Sequence, residues 1–334
     1  MDKSVEETLA DGRWFPLRFE AEQFRFAFIP PERHRETAFL IHLQPPAGEM
    51  RSIALSAVAG AELEQADLHF ILHPGFGGST LLGKLLAQPG VALTLQEPPV
   101  LTDVVRSAVK RARGETDEAL AQATRLLGRP IGAGEANLCK MTHVGNALAA
   151  RMAVDRPRSQ LLCLQTPMEE MLLSLAMRGL EGRSSGRRIF FSIDDSSMSI
   201  ARLSDRDLAE YSDLQLAALA WLSMQKMMLD AASRLGPERV GSIVTGQLME
   251  NMRETLAAAA RHFRLDLDVG ARLADGMLER HSKTGEPFSP KRRAERVAEG
   301  MRAHGAEIEA VVEWARKVAE KTGIAWNLPY PLLG

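Results

Sequence analysis

Apolar positions along the chain gather into short runs, and most of these lead through a glycine- or proline-containing turn into a stretch with helical spacing. In the first such unit Leu68, Phe70, Ile71 and Leu72 are followed by Gly75, Gly77 and Gly78, and then by Leu81, Leu82, Leu85 and Leu86 on one helical face, with Ser79 and Thr80 at the helix start. Residues 137–150 repeat the pattern, as do Gln160–Arg178 and Gly241–Val244 with the helical MENMRETLAAAARHF behind it. Helical spacing also covers 98–127 with a turn near Gly114, Asp205–Leu235, and about 294–320. Strand runs that are apolar throughout predict a parallel sheet buried on both faces between helices.

Two stretches break this rhythm. Residues 13–45 alternate loosely around Phe24, Phe26 and Phe28, which predicts short strands or a hairpin packed on the main domain. Residues 180–204 are rich in Ser, Gly and Arg and read as a long excursion, a lid or acceptor-recognition loop. The expected division is therefore an N-terminal extension over 1–66 and one α/β domain over 67–325, C-terminal helices included.

Composition narrows the function classes. Hydrophobic residues make up 45% and charged residues 25%, the balance of a soluble globular chain. A net charge of −2 gives no support to nucleic-acid binding through a basic surface. The N-terminal MDKSVEETLADGRW has no apolar signal region and no later stretch is apolar for eighteen residues, so the expected setting is cytoplasmic, with no membrane span. Cys139 and Cys163 lie inside strand-like runs and read as buried thiols of a reducing compartment. The eight His are scattered and no CxxC or HExxH occurs, so no metal is expected. Gly132 and Gly134 precede a strand rather than follow one, which sets aside a dinucleotide fingerprint.

The glycine-rich turn after Leu72 carries the chemistry. Free amides at a helix start meet an anion well. A nucleotide-hydrolysing loop would read GxxxxGK followed by Ser or Thr, its lysine neutralising the terminal phosphates. Here His73 stands at the first glycine position and Ser79 at the lysine position, while Gly78 and Thr80 match. The backbone cradle is kept and the hydrolytic equipment is not, as suits a phosphate holder that does not cleave between phosphates.

The stretch PGFGGSTLLGKLLAQPGVALTLQEP resembles the 5'-phosphosulfate loop of sulfotransferases: Gly78-Ser79-Thr80-Leu81 matches Gly-Thr-Thr-Leu, Gln88-Pro89-Gly90-Val91 matches His-Pro-x-Val, and Glu97 matches the acid that follows. In the tyrosylprotein branch a catalytic Glu follows the loop at closely similar spacing. The resemblance implies a P-loop NTPase-like three-layer αβα sandwich with a central parallel sheet, and 3'-phosphoadenosine 5'-phosphosulfate as donor. It implies that Gly75, Phe76, Gly77, Gly78, Ser79 and Thr80 hold the 5'-phosphate, with Thr80 adding a hydroxyl. Phe76 and Gly77 depart from the family, which has a basic residue and a serine there.

Further along, Lys140-Met141-Thr142-His143 resembles the Lys-Thr-His of the cytosolic branch with one residue added. Lys140 is thereby implied to stabilise charge on the bridging oxygen, and His143 becomes a second candidate base after Glu97. Ser174 matches the serine of the 3'-phosphate segment and Thr166 stands where its arginine is expected; Arg178, one helical turn beyond Ser174, is implied to supply that charge, so that Ser174 and Arg178 together hold the 3'-phosphate. Arg280 and Lys283 resemble in character a C-terminal basic loop that closes on the 3'-phosphate. Outside the resemblance, Glu97 reads as a carboxylate in a Glu-Pro-Pro turn and Arg178 as a solvated helix-end cation. The implied reaction moves a sulfuryl group to a hydroxyl or amine of a small-molecule or carbohydrate acceptor. A non-catalytic nucleotide-binding or interaction protein remains as an alternative, as does a small-molecule kinase on the same fold.

Overall fold

A computed structural model of the chain describes residues 3–43, 50–109, 113–196, 198–201, 203–275 and 290–334. Its centre is a five-stranded parallel sheet of β4 (Leu68–Leu72), β5 (Ala92–Gln96), β6 (Ala136–Lys140), β7 (Leu161–Gln165) and β8 (Val240–Val244), in the order β5-β6-β4-β7-β8. The chain leaves β4 toward one edge for β5 and β6, then crosses to the other side for β7 and β8. The order of connection therefore switches direction at β4, and such sheets place ligands at the carboxyl end of that strand.

The sheet is covered on both faces, as its unbroken apolar strands require. Leu68, Phe70 and Leu72 of β4 point into one core cluster with Leu93, Leu95 and Cys163, whereas Ile71 points into another with Leu138, Leu162 and Ile243. Helices from Ser79 onward include α2 (Ser79–Leu86), α3 (Pro99–Val109), α4 (Arg113–Leu127), α5 (Met168–Ala176), α6 (Gly179–Asp194), α7 (Asp213–Leu235), α8 (Thr245–Glu250), α9 (Met252–Phe263) and α10 (Pro290–Thr322). Cys139 and Cys163 are free and buried; burial pushes the Cys163 thiol up to about 12 and Cys139 up as well, so neither is a ready thiolate.

Ahead of the sheet, α1 (Lys3–Ala10) leads into an antiparallel sheet of β1 (Trp14–Glu20), β2 (Gln23–Phe28) and β3 (Arg51–Ala54) with β2 in the middle. Phe15, Phe24 and Phe26 join the main core cluster, so this sheet shares one core with the domain. Arg18 grips Asp103 of α3 with Nε and Nη2 at 2.7 and 3.0 Å, and the Phe19 amide donates to the same carboxylate at 3.0 Å.

The excursion expected over 180–204 is corrected: residues 179–194 form α6, a helix packed on α7. The glycines that read as loop punctuation are packing contacts. A Cβ on Gly186 would come 2.9 Å from Ala217 Cβ, and one on Gly182 would come 2.1 Å from the Leu175 carbonyl oxygen. The long helix expected from Asp205 divides instead, because Ser212 caps α7 through the Gln215 amide. Arg280 and Lys283 lie outside the described residues. No helix among those described is long and apolar enough to cross a membrane, and no group of three or more metal-binding side chains occurs among them.

Candidate active site

At the carboxyl end of β4 the chain turns through His73, Pro74, Gly75, Phe76, Gly77 and Gly78 into α2. Gly75 and Gly78 take positive φ, and so does Phe76 at +56°. A non-glycine residue there costs about 1–2 kcal/mol, so the turn is held by its surroundings. His73 is one brace. Its Nδ1 accepts the Gly75 amide at 3.0 Å, which leaves the proton on Nε2, 3.0 Å from the Met141 carbonyl oxygen just past β6. The Asn146 side chain donates to the His73 carbonyl at 2.8 Å and accepts its amide at 3.3 Å. In the sequence His73 reads only as a lost glycine, and its place at the first glycine position is the signal that marks it.

Gly77 is the tightest point. A Cβ there would stand 1.7 Å from Thr166 Oγ1, just past β7, and 2.7 Å from Thr245 Oγ1, at the start of α8. Both threonines are fully buried and bonded to each other at 3.2 Å, and the Trp221 indole donates to the Thr166 carbonyl at 2.8 Å. Gly77→Ala is therefore expected to cost about 1–3 kcal/mol of stability and to weaken phosphate binding by about tenfold or more. Urea unfolding and calorimetry read the two effects; a variant unchanged in both would show that the loop does not rest on these threonines.

The loop also meets the requirement for an anion. The first intrahelical bond of α2 runs from the Leu82 amide to the Gly78 carbonyl, so the amides of Ser79, Thr80 and Leu81 have no acceptor within the helix. Thr80 Oγ1 is buried and has no hydrogen-bond partner. An unsatisfied buried hydroxyl costs about 1–3 kcal/mol, which a phosphate oxygen would recover. Ser79 is buried beside it. Gly75 contributes differently from expectation, since its amide is already held by His73.

Next to the loop the ends of β5 and β6 bring Glu97 and Lys140 together. Lys140 Nζ forms a close ion pair with Glu97 Oε1, the Glu97 amide donates to the Lys140 carbonyl at 2.9 Å, and His73 Nε2 lies 3.7 Å from the same Oε1. Glu97 takes φ +56°, a second non-glycine residue in the left-handed region at this sheet edge. Lys140 is 1% exposed and the Glu97 side chain 15%, and the contacts with Lys140 and His73 are both made by Oε1. Phe39 covers the pair, its ring centroid 4.9 Å from Lys140 Nζ, and thus the N-terminal segment reaches the site.

His143 rests against the loop: its ring centroid is 6.0 Å from that of His73, and a Cβ on Gly75 would come 2.9 Å from its Nε2. The structure thus gathers Glu97, Lys140 and His143 around the turn. Ser174 is half-buried on α5, and exposed Arg178 extends its guanidinium to 4.9 Å from the centroid of the Phe76 ring.

No family model matches the sequence, and no curated protein matches it. Among solved structures, this chain is similar to the sulfotransferase domain from the curacin biosynthetic pathway at 15% identity, over 69% of this chain and 77% of that one, with a TM-score of 0.36. It is similar to the sulfotransferase domain of the Synechococcus PCC 7002 olefin synthase at 12% identity, over 70% and 85%, TM-score 0.39. The sulfotransferase from Alicyclobacillus acidocaldarius is similar at 13% identity, over 75% and 95%, TM-score 0.41. Likeness at this level assigns no donor, acceptor or residue role to this chain.

Proposed function

We propose that this chain transfers a sulfuryl group from 3'-phosphoadenosine 5'-phosphosulfate to a hydroxyl or amine of a small-molecule or carbohydrate acceptor. The observation that carries the reading is the unpartnered Thr80 hydroxyl at the start of α2, together with a partly exposed carboxylate, Glu97, that Lys140 holds through one oxygen. A phosphate holder and a proton acceptor on neighbouring strand ends are what transfer to a nucleophilic oxygen or nitrogen needs.

In this reading the amides of Gly77 to Thr80 and the Thr80 hydroxyl hold the 5'-phosphate, and Ser174 faces the 3'-phosphate. The donor supplies an activated sulfur–oxygen bond. Glu97 Oε2 takes the acceptor's proton as the acceptor atom bonds to sulfur in line, and the electron pair of the breaking bond stays on the phosphate oxygen held by the loop. Lys140, already paired with Glu97, holds that carboxylate in place. His143 is the alternative base.

A second reading has its own observation. Lys140 and Glu97 satisfy each other, as a purely structural pair would, and this fits a nucleotide-binding protein without chemistry.

Calorimetry of the whole chain with adenosine 3',5'-bisphosphate in chelator is expected to show binding tighter than that of ATP with magnesium. No binding, or preference for magnesium ATP, overturns the donor assignment. Binding without transfer to any acceptor of a broad panel supports the second reading.

A further inference from the structure

The loop between β4 and α2 carries no cation of its own, although an anion site at a helix start usually has one nearby. Lys140 is buried against Glu97. Arg178 is different. It follows α5, lies exposed, has no carboxylate partner among the described residues, and places its guanidinium 4.9 Å from the centroid of the Phe76 ring. Phe76 in turn packs against the cluster of Met168, Met171 and Trp221, with its backbone in the left-handed region. An exposed arginine is mobile unless something holds its plane, and a ring within about 6 Å of a guanidinium does so while leaving its N–H groups free.

We infer that Arg178, stacked on Phe76, supplies the loop's phosphate site with its positive charge, and that the ligand group it serves is the 5'-phosphate of a nucleotide. The inference rests on the phosphate-holding part of the proposed function. It is independent of whether sulfuryl transfer follows. The buried, unpartnered Thr80 hydroxyl marks the same helix start as an anion site. Phe76 then has a use that apolar packing alone would not give it: the strained turn puts an aromatic face under a cation from the turn between α5 and α6.

The test measures binding of adenosine 5'-monophosphate, adenosine 3'-monophosphate and the 3',5'-bisphosphate to four full-length forms: wild type, Arg178→Ala, Arg178→Lys, and Arg178→Ala with Phe76→Lys. Arg178→Ala is expected to weaken the 5'-monophosphate and the bisphosphate alike, by about tenfold or more, and to flatten their salt dependence. Arg178→Lys keeps the charge and loses the flat stack, and falls between. Phe76→Lys returns a cation to the loop and is expected to recover most of the lost affinity. Thermal melting of each form checks folding, which an exposed side chain leaves intact.

Unchanged 5'-monophosphate binding in Arg178→Ala overturns the inference, and so does a loss confined to ligands with a 3'-phosphate. Failure of the Phe76→Lys rescue overturns the charge role. If wild type binds none of the three nucleotides, the phosphate reading of the loop falls as well, an outcome distinct from a silent Arg178.

Discussion

Glu97→Gln is expected to lower kcat by about 10²- to 10⁴-fold while leaving adenosine 3',5'-bisphosphate affinity within about threefold of wild type. The amide keeps the shape of the carboxylate and still accepts from Lys140, but it takes no proton from an acceptor. A stability effect accompanies this. Lys140 is 1% exposed and its partner is Glu97, so neutralising the acid leaves a buried cation uncompensated, at a cost of about 3–5 kcal/mol. Loss of activity by unfolding must therefore be separated from loss of the base.

The double variant Glu97→Gln with Lys140→Met separates them. With both charges removed and the volume roughly kept, the folding defect is expected to be partly repaired, since no buried charge is left unpaired. Activity stays lost. Unfolding midpoints and initial rates at a temperature well below every midpoint give the two readouts. A double variant that turns over at the wild-type rate would remove Glu97 from the chemistry and pass the role of base to His143, which lies against Gly75.

The sheet was legible in the sequence because its strands are apolar throughout and each ends in a turn that only a few residue types can make. Leu68–Leu72, Ala136–Lys140 and Leu161–Gln165 fall where the pattern puts them. The strand Ala92–Gln96 was read only as part of a motif, because its Thr94 and Gln96 dilute the apolar run while their side chains are buried against Gly83. Helix α6 was not legible, since Gly182 and Gly186 lower helix propensity and only the close approach of Leu175 and Ala217 shows what they permit. At the site, Glu97, Lys140 and His143 were singled out by the family resemblance, and the structure places them around one turn. The resemblance could not show that Lys140 pairs with Glu97, that His73 holds Gly75, or that Phe76 lies under Arg178. Those relations join elements far apart in the chain, and no local pattern encodes them.

Arg129→Met is expected to lower stability by about 3–5 kcal/mol and to release the N-terminal segment first. Arg129 is 1% exposed, and it faces carbonyls rather than a carboxylate: its guanidinium donates to Thr8 and Leu9 at 2.9 and 3.1 Å, to Leu126 at 3.2 Å, and closely to Trp14. Thr8 and Leu9 lie in the last turn of α1, so the cation sits where the helix dipole is negative and the last carbonyls lack intrahelical donors. Burial pushes its pKa down to about 10, against the pull of Asp11, so the group remains charged at neutral pH. Methionine fills much of the space but leaves these carbonyls without donors, each worth about 1–3 kcal/mol, offset in part by the desolvation the arginine no longer suffers. Urea unfolding reads the total, and limited proteolysis reads the order, with early cuts expected before residue 54. Since Phe39 covers Lys140, such loosening should also reduce turnover although Arg129 does not touch the site. An unchanged midpoint together with wild-type resistance to protease would mean that the hydrophobic contacts of Phe15, Phe24 and Phe26 hold this segment without Arg129.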